Sequence, residues 1–253
     1  MTHQAETAAK LIQISAGLYV RQEIDNMGWA DMGANGIFVV DALEHAELED
    51  EVMSSIANTI PDKHVSIVFN THTHYDHVAL NAAFKKKHGA EIINRKTRDI
   101  PEDGLEFEGG DRSCCFMPVP GGHTADDCVV WFPDDSVLFV GDLFGWGLIT
   151  SMNSATSEVM TGLEAIYNRL IDFGAENVVP GHGPLCSTAE LERCRDYHDW
   201  LTGEVYSGVE NGVPARDLAG AIPVPEDMRN WWRLEEWKHE QNIRKLIKGA
   251  RRA

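Results

Sequence analysis

Cysteine is scarce in this chain: five residues, Cys114, Cys115, Cys128, Cys186 and Cys194, with no CxxC pair among them. An odd count without paired spacing, in a chain of 253 residues, excludes a disulfide-stapled scaffold and a cysteine-rich zinc finger. Reduced thiols in the cytoplasm are expected. The adjacent pair Cys114-Cys115 reads as two strand residues, one facing in and one facing out.

Positive charge is also short, with 22 Lys and Arg against 40 Asp and Glu and a formal net charge of −18. That balance excludes nucleic acid as a partner, because such binding depends on neutralising phosphates with Lys and Arg. It also opposes docking on an anionic membrane surface. No run of about 18 apolar residues could span a bilayer. The N-terminal stretch "MTHQAETAAKLIQISAGLYV" lacks the basic start and apolar core of a signal peptide. Internal repeats and low-complexity tracts are missing too. What is present is ordinary globular composition, 43% hydrophobic and 25% charged, enough for a sizeable core. The expected partner is a small molecule.

Hydrophobic periodicity orders the chain. Residues 11–42 read as short strands, "LIQISAGLYVRQ" and "GIFVVDA", around a turn-rich "DNMGWADMGAN". A helix in "HAELEDEVMSSIANTI" closes at Pro61, and "HVSIVFN" is a buried strand. "VALNAAFKKKHG" is helical, with Gly89 at its C-terminal end, and "EIINR" is strand-like. Strands "SCCFMPVP", "DCVVWF" and "SVLFVGD" follow, then a helix over 157–173, a strand "NVVP" and a loop "GHGP". From Thr188 the pattern is helical to the end, with a break around 212–226. The expected architecture is α/β layers over residues 1–190 with a C-terminal helical extension, 191–253, packed on the same domain.

The stretch "NTHTHYDH" places three histidines and an aspartate within six residues at the end of an apolar strand. His72 and His74 are two apart, so on an extended segment they face the same way and can share an ion. Asp76 and His77 lie further round the turn and could serve a second ion. Nitrogen donors with a carboxylate suit zinc or another borderline first-row metal. Four further segments put a His or Asp at a strand end: "PGGHTADD" (His123), "VGDLFG" (Asp142), "PGHGP" (His182) and "VVDALEH" (Asp41). Glycine beside the first three lets the backbone pass close to a ligand sphere.

"HTHYDH" followed by Gly-His, Gly-Asp and Gly-His resembles the metallo-β-lactamase superfamily, over roughly residues 11–190. The resemblance implies a four-layer αββα sandwich with two metal ions at one edge. One would be held by His72, His74 and His123, the other by Asp76, His77 and His182, with Asp142 bridging. Asp142 stands where many true β-lactamases have Cys or Ser, which moves the reading toward the glyoxalase II-like and lactonase-like branch. "VALN" also replaces the Gly-Gly that many relatives carry after the signature. Asp41 would orient a ligand histidine.

The implied activity is a dinuclear hydrolase with two Zn2+, Fe or Mn being alternatives. A metal-bridging hydroxide, with Asp76 as catalytic residue, would cleave a carboxylic ester, lactone or thioester with an apolar portion. Met27, Trp29, Met32, Phe144 and Trp146 are candidate pocket walls. Two other readings are a mononuclear iron persulfide dioxygenase-like enzyme and a non-catalytic metal-binding relay protein. Trp200, Trp231, Trp232 and Trp237 in the tail would bury a seam or a homodimer contact. His3, His45, His64, His88, His198 and His239 match no ligand position and are expected at the surface or behind the ligands.

Overall fold

The computed structural model describes residues 9–151, 155–234 and 236–251, apart from the Glu236 side chain. His3 lies outside them.

Two sheets form the centre. In the first, β1 (Lys10–Ser15), β2 (Leu18–Gln22), β3 (Met27–Asp31), β4 (Ile37–Val40), β5 (Val65–Phe69) and β6 (Glu91–Ile93) lie in chain order. Its first four strands pair antiparallel, whereas β4, β5 and β6 run parallel. A parallel pair needs a crossover, and α1 (Glu49–Thr59) and α2 (Asn81–His88) supply the two. The second sheet is β7 (Leu105–Glu108), β8 (Ser113–Pro118), β9 (Cys128–Phe132), β10 (Val137–Gly141) and β11 (Asn177–Pro180), in spatial order β11-β10-β9-β8-β7. Here α3 (Ser157–Ile171) crosses between the parallel strands β10 and β11.

Strand alternation builds the layers. In β4, Phe38 and Val40 enter the core between the sheets, while Ile37 and Val39 face α1 and α2. In β10, Val137 and Phe139 face inward and Leu138 and Val140 face the second helical layer. The architecture is therefore the expected αββα sandwich. After β11, α4 (Thr188–Glu210) begins with a capping box between Ser187 and Glu190. α5 (Ala215–Ala221) and α6 (Glu236–Ala250) follow, and a shared core joins α4, α5 and α6 to Met160 and Leu163 of α3.

Several expectations need correction. The turn-rich segment is strand β3, with Met27 and Trp29 on the helical face and Ala30 on the inner face. Gly28 looks like a turn signal but serves close packing: a Cβ there would sit 2.3 Å from the Phe139 ring of the opposite sheet. The edge strand β7 lies where no strand was expected. The break at 212–226 contains α5. His198 and His239 are buried among the C-terminal helices, against Tyr197. Cys114 is buried and Cys115 half-buried, the in-and-out pair expected, and all five cysteines are free thiols.

Candidate metal centre

The ends of four parallel strands converge on one edge of the sandwich. Asp41 follows β4, the segment Asn70–His77 follows β5, Asp142 follows β10 and His182 follows β11. The loop between β8 and β9 adds His123.

The backbone after β5 is fixed by buried polar groups. Asn70 donates from Nδ2 to the His77 carbonyl at 2.9 Å, and its Oδ1 accepts from Asn81 at 2.9 Å and from Asn94 at 3.0 Å. His74 is extended, and a single 3-10 turn over Tyr75–His77 reverses the direction of the side chains that follow. The Asp127 carboxylate accepts from the backbone amides of His123 and Thr124, both at 2.8 Å, and pins the other loop.

Seven donor side chains gather in two sets, each with its donor atoms within 4.8 Å of one another. The first is His72, His74 and His123; the second is Asp76, His77, Asp142 and His182. Asp142 touches both. Its Oδ1 lies 3.4 Å from His77 Nε2 and 3.3 Å from His182 Nε2, while Oδ2 lies 3.5 Å from His123 Nε2. Asp76 Oδ2 is 3.3 Å from His182 Nε2. The resemblance brought these same seven residues together.

The far ring nitrogens of four histidines are anchored. His72 Nδ1 lies 3.3 Å from Thr71 Oγ1, and His77 Nδ1 lies 3.0 Å from Asp41 Oδ2. His123 Nδ1 donates to the Thr150 carbonyl at 3.0 Å. His182 Nδ1 donates to the Ile24 carbonyl at 3.1 Å and is 2.9 Å from Asp25 Oδ1. Anchoring that nitrogen fixes the tautomer and leaves the other free for a metal. Asp41 therefore has the expected supporting position. Asp25, Asp127 and Thr150 were not anticipated. Asp25 and Thr150 sit in segments without ligand spacing, whereas the Thr124–Asp127 turn is a local pattern that "HTADD" carries.

Electrostatics and packing test whether a cation fits. Burial and the neighbouring His77 hold His72 down at about 2, so it offers a lone pair. Burial opposes charge on His77 and His182, yet Asp41 and Asp142 raise the first to about 10, and Asp142, Asp25 and Asp76 raise the second to about 12. Burial likewise opposes ionisation of Asp142, but His182 and His77 hold it well below the usual carboxylate range. The carboxylates thus draw positive charge into the site, and a divalent cation held there would replace those protons. His72 Nε2, His77 Nε2 and Asp142 Oδ1 are buried without a hydrogen-bond partner, a costly arrangement that a cation resolves. Gly181 leaves the necessary room: a Cβ there would lie 2.1 Å from Asp142 Oδ1. The residues fit metal ions.

The five residues expected as pocket walls are all buried. Met27 and Trp29 are buried against the α1 and α2 layer, where Trp29 Nε1 donates to Thr59 Oγ1 at 2.9 Å. Met32 is buried between the sheets. Phe144 and Trp146 are buried in an aromatic group with Trp231, at ring distances of 5.1 Å from each other and 5.5 Å from Trp146 to Trp231. Two exposed hydrophobic residues are tied to the centre through the chain: Ile24, 44% exposed, whose carbonyl meets His182 Nδ1, and Tyr75, 68% exposed, between His74 and Asp76.

A His/Asp metal centre at one edge of an αββα sandwich is thus the class that fold and site define. The family profile described as the metallo-beta-lactamase superfamily matches residues 26–101 and 92–182, and the chain belongs to that superfamily. It is 24% identical over 224 residues to a metallo-beta-lactamase type 2 of Bacteroides fragilis, covering 76% of this chain and 89% of that protein. It is 34% identical over 108 residues to a hydroxyacylglutathione hydrolase of Methylococcus capsulatus, spanning 39% of this chain but only 42% of that enzyme's length. Among solved structures, a metallo-beta-lactamase from Pontibacter korlensis superposes with a TM-score of 0.60 at 20% identity, covering 76% of this chain and 99% of that one. The sec-alkylsulfatase Pisa1 from Pseudomonas reaches 0.73 at 14% identity, covering 95% of this chain and 50% of that one. Both likenesses show the fold.

Proposed function

We propose that the chain is a cytoplasmic, dinuclear metal-dependent hydrolase of a small carboxylic ester, lactone or thioester with an apolar portion. The observation that carries the reading is the Asp142 carboxylate, which faces one ligand set with each oxygen. Two zinc ions, or iron or manganese in their place, would be held by His72, His74 and His123 and by Asp76, His77 and His182, with Asp142 shared. When bound, the ions supply charge that lowers the pKa of water and polarises a carbonyl oxygen. The hydroxyacylglutathione hydrolases among the relatives support an acyl substrate.

The protein's own groups orient the reaction. Asp76 is half-buried at the edge of the second set, with His182 and His77 holding its carboxyl below the usual range against the effect of burial. It stays ionised at neutral pH, placed to accept a proton from attacking water and to pass it to the leaving group. Ile24 and Tyr75, exposed and joined in the chain to the groups around the ions, would offer apolar contact to the substrate. A persulfide dioxygenase-like enzyme or a relay protein would not need the second set, which is complete here.

The test is a panel of esters, lactones, thioesters and a β-lactam, assayed on zinc-reloaded protein with and without a chelator. Chelator-sensitive turnover of the acyl substrates is expected. Turnover of the β-lactam alone, or of nothing, overturns the reading.

A further inference from the structure

The C-terminal helix α6 reaches the metal centre through one strap of chain. Residues 142–151 connect Asp142 to Thr150, whose carbonyl accepts the Nδ1 proton of His123. A carbonyl can only accept, so this bond fixes His123 with its proton on Nδ1 and its lone pair on Nε2. The Thr150 hydroxyl also donates to the Gly122 carbonyl at 3.1 Å, so the strap grips the His123 loop twice.

α6 in turn grips the strap on both sides of Thr150. Asn242, wholly buried, donates to the Gly147 carbonyl at 2.6 Å and accepts from the Ile149 amide at 2.8 Å. The Lys245 ammonium donates to the Ile149 carbonyl at 2.6 Å and to the Ser151 carbonyl at 3.0 Å. The Lys245 carbonyl accepts from the Ala155 amide at 3.3 Å. The carbonyls on either side of Thr150 are therefore both held by one ammonium. That leaves the Thr150 carbonyl aimed at His123.

We infer that Asn242 and Lys245 are positioning residues for the metal ion held by His72, His74 and His123, acting through the Thr150 carbonyl on the orientation of His123. The C-terminal helices then complete the centre. This inference rests on the proposed reading of His123 as a ligand. A freely rotating His123 ring would have to be ordered each time an ion bound, which weakens that ion without touching the second set.

Cobalt titration of metal-free protein, followed by absorption, tests this by comparing the two binding steps. His123→Ala identifies the step that belongs to the first set. In Lys245→Met that step should weaken about 10–100-fold, the usual cost of losing a group that orients a ligand, with the other step within about threefold of wild type. Lys245→Gln keeps a donating amide on an uncharged side chain one atom shorter and should fall between the two, which also serves should the Met variant not fold. A merely structural lysine would lower the melting temperature and leave the ratio of the two affinities unchanged. That result, or both steps weakening alike, overturns the inference. If His123→Ala itself leaves both steps intact, the ligand assignment fails instead.

Discussion

Asp41 Oδ2 and His77 Nδ1 lie 3.0 Å apart, joining the end of β4 to the turn after β5 at a point where both side chains are buried. The same carboxylate accepts from the Thr71 amide at 2.8 Å and from Thr71 Oγ1 at 2.9 Å. One residue outside the ligand set thus fixes the backbone beside His72 and the ring of His77. Asp41 has φ 60°, a conformation that Asn also tolerates, so Asp41→Asn tests charge without adding backbone strain. Zinc affinity at the second set should fall about 10–100-fold, with a smaller loss at the first set, which Asp41 reaches only through Thr71. Equal affinities for variant and wild type, by calorimetric titration, would remove Asp41 from the account.

Asp76 is assigned two tasks, ligation and orientation of the attacking water. Asp76→Ala should keep the ion at His72, His74 and His123, bind the second more weakly, and lose turnover beyond that. At saturating zinc, with metal content measured on the same sample, kcat should fall by about 10²–10³-fold, the scale of losing one preorganised electrostatic contact. Full recovery once both sites are filled would leave Asp76 as a ligand only.

Ile24 and Tyr75 should set preference for the apolar part of the substrate. Ile24→Ala and Tyr75→Ala are expected to raise KM about three- to tenfold for long acyl chains, from the loss of partial apolar burial, with little change for acetyl substrates. Trp29→Ala should behave differently, losing about 3–5 kcal/mol of stability because its ring fills the layer against α1. Equal effects of the two rim variants on long and short substrates would contradict the assignment.

The C-terminal layer carries a pH dependence of its own. Burial between Tyr167 and Tyr197 lowers His198 from 6.5 to about 4 in the folded chain. Between these values the unfolded chain takes up a proton that the folded chain refuses, so stability falls as pH drops below about 6.5, by about 1.4 kcal/mol per pH unit. The loss levels off below about pH 4. Denaturant unfolding of wild type and His198→Gln should diverge accordingly between pH 7.5 and 5; parallel curves would show that His198 does not report this burial.

Much of the fold was legible in the sequence, and so were all seven of the side chains that gather at the sheet edge. The ligands were readable because coordination demands particular side chains at strand ends, and "HTHYDH" compresses that demand into a few residues. Gly122, Gly141 and Gly181 marked the remaining three. The groups that anchor the ligands were less legible, since a backbone carbonyl such as that of Thr150 has no residue-type signature. The pocket residues misled for a physical reason. Met27, Trp29 and Met32 looked like loop hydrophobics around Gly28, but Gly28 is a strand residue that lets the sheets approach, so its neighbours are core. His239 was not placed in the C-terminal core because a histidine satisfied by the Tyr197 hydroxyl and the Ile222 carbonyl cannot be told from an exposed one in sequence, and His198, buried beside Cys194 and Tyr197, carries no signature either.

The proposed centre holds two ions that share Asp142. The most direct measurement is the zinc content per chain of protein stripped, reloaded and freed of excess metal, determined by elemental analysis against quantitative protein concentration. About two ions per chain are expected, falling toward one in His182→Ala. A single ion in the wild type, unchanged in His182→Ala, would contradict it.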